Sequence, residues 1–167
     1  MKEPEILRLH RERMLADKNR PGYHFAIPED MGIPGDPNAA FYANGRYHLM
    51  YLYHSESDGF RYGHMSSIDL IHWRWHPDAL IPDALDGGIF SGGAFVDDDG
   101  TVYVTFWGLQ KEGVGKGQGG IRIAYSRDIA NHYEKWEKMP DYAVVSDIWG
   151  VTESPEGYLG SADPSNI

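Results

Sequence analysis

Asp36 is the residue whose type and setting most suit chemistry. It stands in Ile33-Pro34-Gly35-Asp36-Pro37-Asn38-Ala39-Ala40, rich in Pro and Gly, directly before the alternating stretch Phe41-Tyr42-Ala43-Asn44-Gly45-Arg46-Tyr47-His48-Leu49-Met50-Tyr51. That stretch reads as a β-hairpin with an Asn-Gly turn. An acid held by a stiff turn at a strand end suits catalysis, because Pro fixes the neighbouring backbone and the sheet supports it from below. Asp-Pro in a loop is equally ordinary turn chemistry, so the residue alone does not decide between the two.

Other reactive groups are fewer. The chain has no cysteine, which removes disulfides, a thiolate nucleophile and Cys-ligated metals. His48, His54, His64, His72 and His76 form no HxxxH pair on a helix; on aromatic strands such histidines read as hydrogen-bonded core or surface residues, and neither a metal nor a cofactor is expected. The run Gly113 to Gly120 has the glycine content of a phosphate loop but lacks its Gly-Lys-Ser/Thr ending, so it reads as a mobile hairpin loop.

The 167 residues are enough for one domain with a core, and 41% hydrophobic content with 5 Trp and 11 Tyr argues against disorder. Aromatic side chains suit β-sheet packing and also stack on flat apolar faces such as sugar rings. A formal net charge of -10 excludes a partner bound through its phosphate backbone, so no nucleic acid is expected. The N-terminus, Met1-Lys2-Glu3-Pro4-Glu5, is charged and leads into no apolar signal region or membrane span, which gives a cytoplasmic expectation.

Glu5 to Lys18 reads as a surface helix stopped by Asn19-Arg20-Pro21-Gly22. From Tyr23 onward the chain breaks into short alternating runs. The expected strands are Ala40–Tyr42, Tyr47–His54, Tyr62–Ser67, Trp73–Trp75, Gly92–Val96, Val102–Trp107, Ile121–Ser126 and Tyr142–Val145. A faint repeat runs through them: Ala40-Phe41 and Ala94-Phe95 each precede a polar Gly turn and an aromatic strand. A Ser-Asp turn follows (Ser66-Ser67-Ile68-Asp69, Ser126-Arg127-Asp128), and then Trp73 or Trp136. Four-stranded units repeated at this period are the pattern of propeller blades. The fold class is therefore all-β, about two blades and the start of a third. Residues 1–20 are expected as a helical lead-in and residues 21–167 as the propeller segment; on the family resemblance given below, that segment is expected to be the N-terminal part of a propeller truncated before its remaining blades.

The order of short motifs adds a family. Gly35-Asp36-Pro37-Asn38 before a Phe-Tyr strand, Tyr62-Gly63-His64-Met65-Ser66-Ser67-Ile68-Asp69-Leu70-Ile71-His72-Trp73, Phe90-Ser91-Gly92-Gly93-Ala94 and Ala162-Asp163-Pro164 follow one another as they do in glycoside hydrolase family 32. The sequence resembles that family of invertases, levanases and inulinases from about Arg20 to its last residue. The resemblance implies a five-bladed β-propeller and hydrolysis of β-fructofuranosides with retention. It implies Asp36 as nucleophile, Asp163 as the carboxylate that stabilises the transition state through sugar hydroxyls, and Asn38, Phe90, Ser91 and Trp73 about the sugar. Retaining hydrolysis also needs an acid opposite the nucleophile, about 5 Å away. The family carries it on a Glu-Cys motif one blade later, and these residues contain no such motif; Glu153 precedes Asp163 and reads as a solvated loop acid.

Three positions depart from the family pattern. Gly35 stands where the family has Asn, Leu52 where it has Gln between aromatics, and Ala162 where it has Arg. Each missing charge-assisted hydrogen bond weakens sugar binding by about 1.5–3 kcal/mol. Two alternatives therefore stay open: a furanosidase or xylosidase of a neighbouring five-bladed family, and a non-catalytic carbohydrate-binding propeller. Unpaired strand edges further lead to the expectation of self-association, or of a partner chain that completes the ring.

Overall fold

The computed structural model describes residues 12, 15–19, 32–55, 59–111 and 119–146. Of the expected N-terminal helix, Glu12, Leu15 and Ala16 are helical; the rest of that segment, the start of a third blade and Asp163 lie outside the described residues.

Among the described residues ten strands make two antiparallel sheets. The first contains β1 (Ile33–Ala43), β2 (Arg46–Ser55), β3 (Gly59–Ser67) and β4 (Trp73–Leu80), paired in chain order. Asn44-Gly45 joins β1 to β2 with φ of 48° and 74°, the left-handed pair that a type I′ hairpin demands. The second sheet contains β5 (Asp86–Phe90), β6 (Ala94–Val96), β7 (Val102–Gln110), β8 (Gly119–Ser126), β9 (Glu137–Lys138) and β10 (Val144–Ser146). Both β5 and β6 pair with β7, at Phe90 opposite Trp107 and Ala94 opposite Val104, so they act as one interrupted strand. In the same way β9 and β10 both lie along β8. Each sheet is thus a four-deep meander, which is the partial propeller expected from the repeat.

The repeated Ser-Asp turns have the same job in both copies. Ser67 ends β3 and its Oγ accepts the N–H groups of Asp69 and Leu70; Ser126 ends β8 and its Oγ accepts the N–H of Asp128. Trp136 packs on the main core, whereas Trp73 packs with Tyr51, Tyr53 and Met65 on the other face of the first sheet. The main core joins the sheets: Phe41, Met50, Leu52 and Tyr62 from the first meet Ile89, Val102, Val104, Phe106 and Ala124 from the second.

The strands differ from expectation at their ends. The segment expected as a turn, Ile33 to Ala39, already belongs to β1. Pro34 and Pro37 are accommodated because β1 is an outer strand of its sheet with register shifts between Pro34 and Pro37 and between Asn38 and Phe41. Strands β5 and β9 were not expected, β4 continues past Pro77 to Leu80, and Gly119 and Gly120 open β8 rather than lying in a loop.

Candidate functional site

The first register shift shapes the site. Pro34 faces Tyr53 and Pro37 faces Tyr51, so Gly35 and Asp36 together oppose the single residue Leu52. Such a bulge re-aims a side chain, and strand bulges concentrate beside active sites for that reason. Asp36 is exposed, yet its Oδ2 accepts a hydrogen bond from the Ser91 Oγ of the second sheet at 3.0 Å. The two residues are 55 positions apart in the chain and meet only because the sheets pack side by side.

The backbone that carries Ser91 is held from both sides. Tyr62 of β3, fully buried, donates its hydroxyl to the Phe90 carbonyl at 2.9 Å, which fixes the peptide leading into Ser91. Ala39 N–H donates to the Gly92 carbonyl at 3.2 Å, from a left-handed φ of 45° just after Asn38. Gly92 itself cannot carry a side chain there, since a Cβ would overlap the Thr105 carbonyl. Both Phe90-Ser91-Gly92 and Pro37-Asn38-Ala39 are therefore read by contacts between the two blades.

Apolar groups line the base of the bulge. A Cβ on Gly35 would stand 3.1 Å from Leu52 Cβ and 3.5 Å from the Phe60 ring, and Phe60 in turn tilts onto Phe90 with ring centres 5.4 Å apart. The glycine at 35 and the leucine at 52 are thus neighbours, and their two departures from the family pattern occupy one place. Asn38 donates from Nδ2 to the Asp36 carbonyl at 3.3 Å, while its Oδ1 is buried with no hydrogen-bond partner among the described residues.

Asp36, Asn38, Phe90 and Ser91 are therefore brought together. Trp73 is not. It faces Ser67, which faces Tyr47, which faces Tyr42, so it lies across the sheet from the last residues of β1, whereas Asp36 is near the first. Its indole donates to the Leu70 carbonyl at 3.2 Å and braces the β3–β4 turn. Phe60 and Tyr62 are members of the site that sequence reasoning did not single out. Tyr62 opens one of the family-like motifs, but nothing in the pattern distinguishes a hydroxyl that reaches across to another blade. Among the described residues no group of His, Asp and Glu is placed to hold a metal ion, and no helix is long and apolar enough to cross a membrane.

The comparisons with known proteins agree with this geometry. Residues 24–154 match the glycosyl hydrolases family 32 N-terminal domain. The sucrose-6-phosphate hydrolase of Escherichia coli is 33% identical over 177 aligned positions, covering 96% of this chain and 36% of that protein. The fructan beta-fructosidase of Streptococcus mutans is 32% identical, over 72% of this chain and 9% of its own. The chain thus spans about a third of the length of the first relative and less of the second. Among solved structures, a Bombyx mori β-fructofuranosidase mutant in complex with sucrose superposes with a TM-score of 0.62 at 26% identity, over 97% of this chain and 33% of its own. Fructan 1-exohydrolase IIa of Cichorium intybus, at 24% identity, has the same fold with a TM-score of 0.65 over 80% of this chain and 25% of its own. With the bulged acid, the blade-bridging serine and the paired four-deep sheets in place, the chain belongs to glycoside hydrolase family 32.

Proposed function

We propose that these residues form the nucleophile-bearing part of a retaining glycosidase that acts on β-fructofuranosides. The observation that carries the reading is the hydrogen bond from Ser91 to Asp36 across two blades, at 3.0 Å. In the first step an Asp36 oxygen attacks the anomeric carbon, the bond to the aglycone oxygen breaks, and that oxygen leaves with a proton from a general acid. Water then attacks the anomeric carbon of the fructosyl ester and gives its proton to the conjugate base of that acid, while the bond to Asp36 breaks and its carboxylate is freed. Ser91 orients the attacking carboxylate, and Asn38 Nδ2 braces the Asp36 carbonyl. Asp163 is assigned the transition-state stabilising role by the family pattern. The names of the relatives, with sucrose, sucrose 6-phosphate and fructans among their substrates, support the same sugar class.

Supply of the proton separates the substrates. General acid catalysis is worth about 10²–10⁴-fold, and these residues lack the Glu-Cys motif, so sucrose, levan and arabinofuranosides should be hydrolysed slowly or not at all by this chain alone. An aryl β-fructofuranoside, whose leaving group departs without a proton, bypasses that need. Incubated with the purified chain, it should leave one fructosyl unit on the peptide that contains Asp36, and none in Asp36→Asn. A label elsewhere, or one that survives Asp36→Asn, overturns the nucleophile assignment. Fast release of reducing sugar from sucrose that disappears in Asp36→Asn would place a working acid within these residues. Fructoside binding without any label would favour the non-catalytic alternative.

A further inference from the structure

Away from Asp36, three histidines from adjacent strands of the first blade stack edge to edge of the sheet: His48 on β2, His64 on β3 and His76 on β4. Their ring centres are 5.2 Å (His48 to His64) and 4.5 Å (His64 to His76) apart, with interplanar angles of 25° in both pairs. Phe41 of β1 lies flat on His48 at 4.6 Å. The stack is covered by the segment of the second blade that follows β8. Tyr133 meets Phe41 and His48 edge-on, Trp136 meets Phe41, His132 lies 6.1 Å from the His76 ring, and Glu134 binds His76.

The hydrogen bonds of the stack are met with all three rings neutral. Arg46 Nε donates to Ser66 Oγ at 3.0 Å, Ser66 Oγ and His76 Nε2 lie 2.7 Å apart, and His76 Nδ1 lies 3.0 Å from the accepting Glu134 Oε1. A neutral His76 satisfies these contacts. His48 Nδ1 and His64 Nε2 lie 2.9 Å apart and share one proton, while His48 Nε2 and His64 Nδ1 are both buried with no hydrogen-bond partner among the described residues. The charged groups facing the stack are Arg46 on β2, Arg74 on β4, His132 and Glu134 on the covering segment; the one carboxylate among them already serves Arg74 and His76. Burial, then His76, Arg46 and His132, holds His48 down at about 4, and burial with the neighbouring imidazoles holds His64 well below its ordinary range. Burial also lowers His76, against the pull of Glu134.

We propose that this stack is an acid-sensitive clasp: residues 128–136 of the second blade lock onto the first blade while the imidazoles are neutral, and come away as the imidazoles take up protons. In the closed form a second proton would place cations about 5 Å apart in a buried stack. In the open form water solvates each imidazolium, and uptake returns to the usual range near 6.5. The sign follows. The open state binds more protons below pH 6.5, so the imidazoles' contribution to closure is fully present above that value and declines as pH falls from 6.5 toward the depressed closed-state values, near 4 for His48. Each linked proton shifts the opening equilibrium about tenfold per pH unit within that window.

Hydrogen exchange of the purified chain between pH 7.5 and 5, corrected for intrinsic rates, reads this directly. Peptides covering 128–136 should lose protection at least about tenfold per pH unit below 6.5, ahead of peptides from β7. His76→Gln keeps a donor and an acceptor without a titrating ring and should make the dependence shallower. Glu134→Gln removes the only facing carboxylate and should make it steeper. Protection of 128–136 that falls no faster than that of β7, or a pH dependence that neither variant changes, overturns the clasp. Where a variant does not fold, imidazole NMR of the unsubstituted chain decides: undocking of 128–136 in step with protonation of His48 and His64 as pH falls below 6.5 supports it, and charged rings with the segment still docked overturn it.

Discussion

Ser91 contributes to the site through a single hydroxyl, and its removal separates positioning from folding. It is half-buried in an irregular stretch between β5 and β6, and its Oγ donates to Asp36 rather than to the core. A hydrogen bond to a charged group contributes about 1.5–3 kcal/mol, which is roughly a 10- to 100-fold change in rate. Ser91→Ala should therefore slow fructosyl labelling of Asp36 by that factor while shifting stability by less than about 0.5 kcal/mol. Labelling rates from intact-protein mass spectra, beside urea midpoints, check both parts; a rate equal to that of the unsubstituted chain would leave Ser91 without a positioning role. At this scale much of the site was legible. Asp36 and Ser91 stand in motifs whose order could be read, and the structure joins them. Trp73 was misread because a repeated Trp after a Ser-Asp turn marks packing in both blades and carries no information about which end of the sheet it occupies. Tyr62 was not singled out because its role depends on a carbonyl of another blade, a relation that has no local pattern.

At the scale of elements, the join between β4 and β5 is held by a charge cluster that no spacing rule announces. Arg122 of β8 reaches Asp86 at 2.6 Å and Asp83 at 3.1 Å, and Lys138 of β9 pairs with the same two acids. Arg122 is 1% exposed and Asp86 4%, and the guanidinium also lies over Phe106 and Tyr142. Removing Arg122 leaves Asp86 with Lys138 as its remaining cation, so the cost is about 3 kcal/mol or less, below that of a buried charge left with no partner. Arg122→Met should lower stability by that amount in urea unfolding at pH 7, and Arg122→Met with Asp86→Leu should recover part of it. No recovery in the double variant would mean that the loss comes from packing around the guanidinium and not from the carboxylate left with Lys138 alone. Asp83 adds a pH term. Burial alone would raise it, but the Leu85 N–H, Lys138 and Arg122 together pull it below its usual range, so its contribution is present above about pH 4 and is lost as pH falls through the lowered value. That limb lies below the histidine window. The strands β5 and β9 escaped the sequence reading for related reasons: Asp86-Gly87-Gly88 carries turn residues, and Glu137-Lys138 is too short and charged to alternate. Pairing with β7 and β8, not intrinsic propensity, makes them strands. Pro34 and Pro37 misled in the opposite direction, because on an outer bulged strand a missing N–H costs the sheet little.

At the scale of the molecule, the two blades share one core and should unfold together. Met50, with no exposed surface, packs from β2 into the cluster that holds Ile89, Val102, Val104, Phe106 and Ala124 of the second sheet. Tyr62 and Ala39 add hydrogen bonds between the sheets, and the histidine stack adds a further contact at its own part of the sheet. If the blades were independent units, truncating Met50 would weaken only β1–β4. If the core is common, Met50→Ala should cost about 2–5 kcal/mol and reduce protection equally in both sheets. Hydrogen exchange at pH 7.5, where the clasp is closed, distinguishes these cases without interference from imidazole protonation. Equal loss in peptides of β2–β3 and β7–β8, with coincident urea transitions by tryptophan fluorescence and far-ultraviolet circular dichroism, is the expected result. Loss confined to the first sheet would mean that the Asp36–Ser91 hydrogen bond bridges two separately folding units, and the site would then form only on docking.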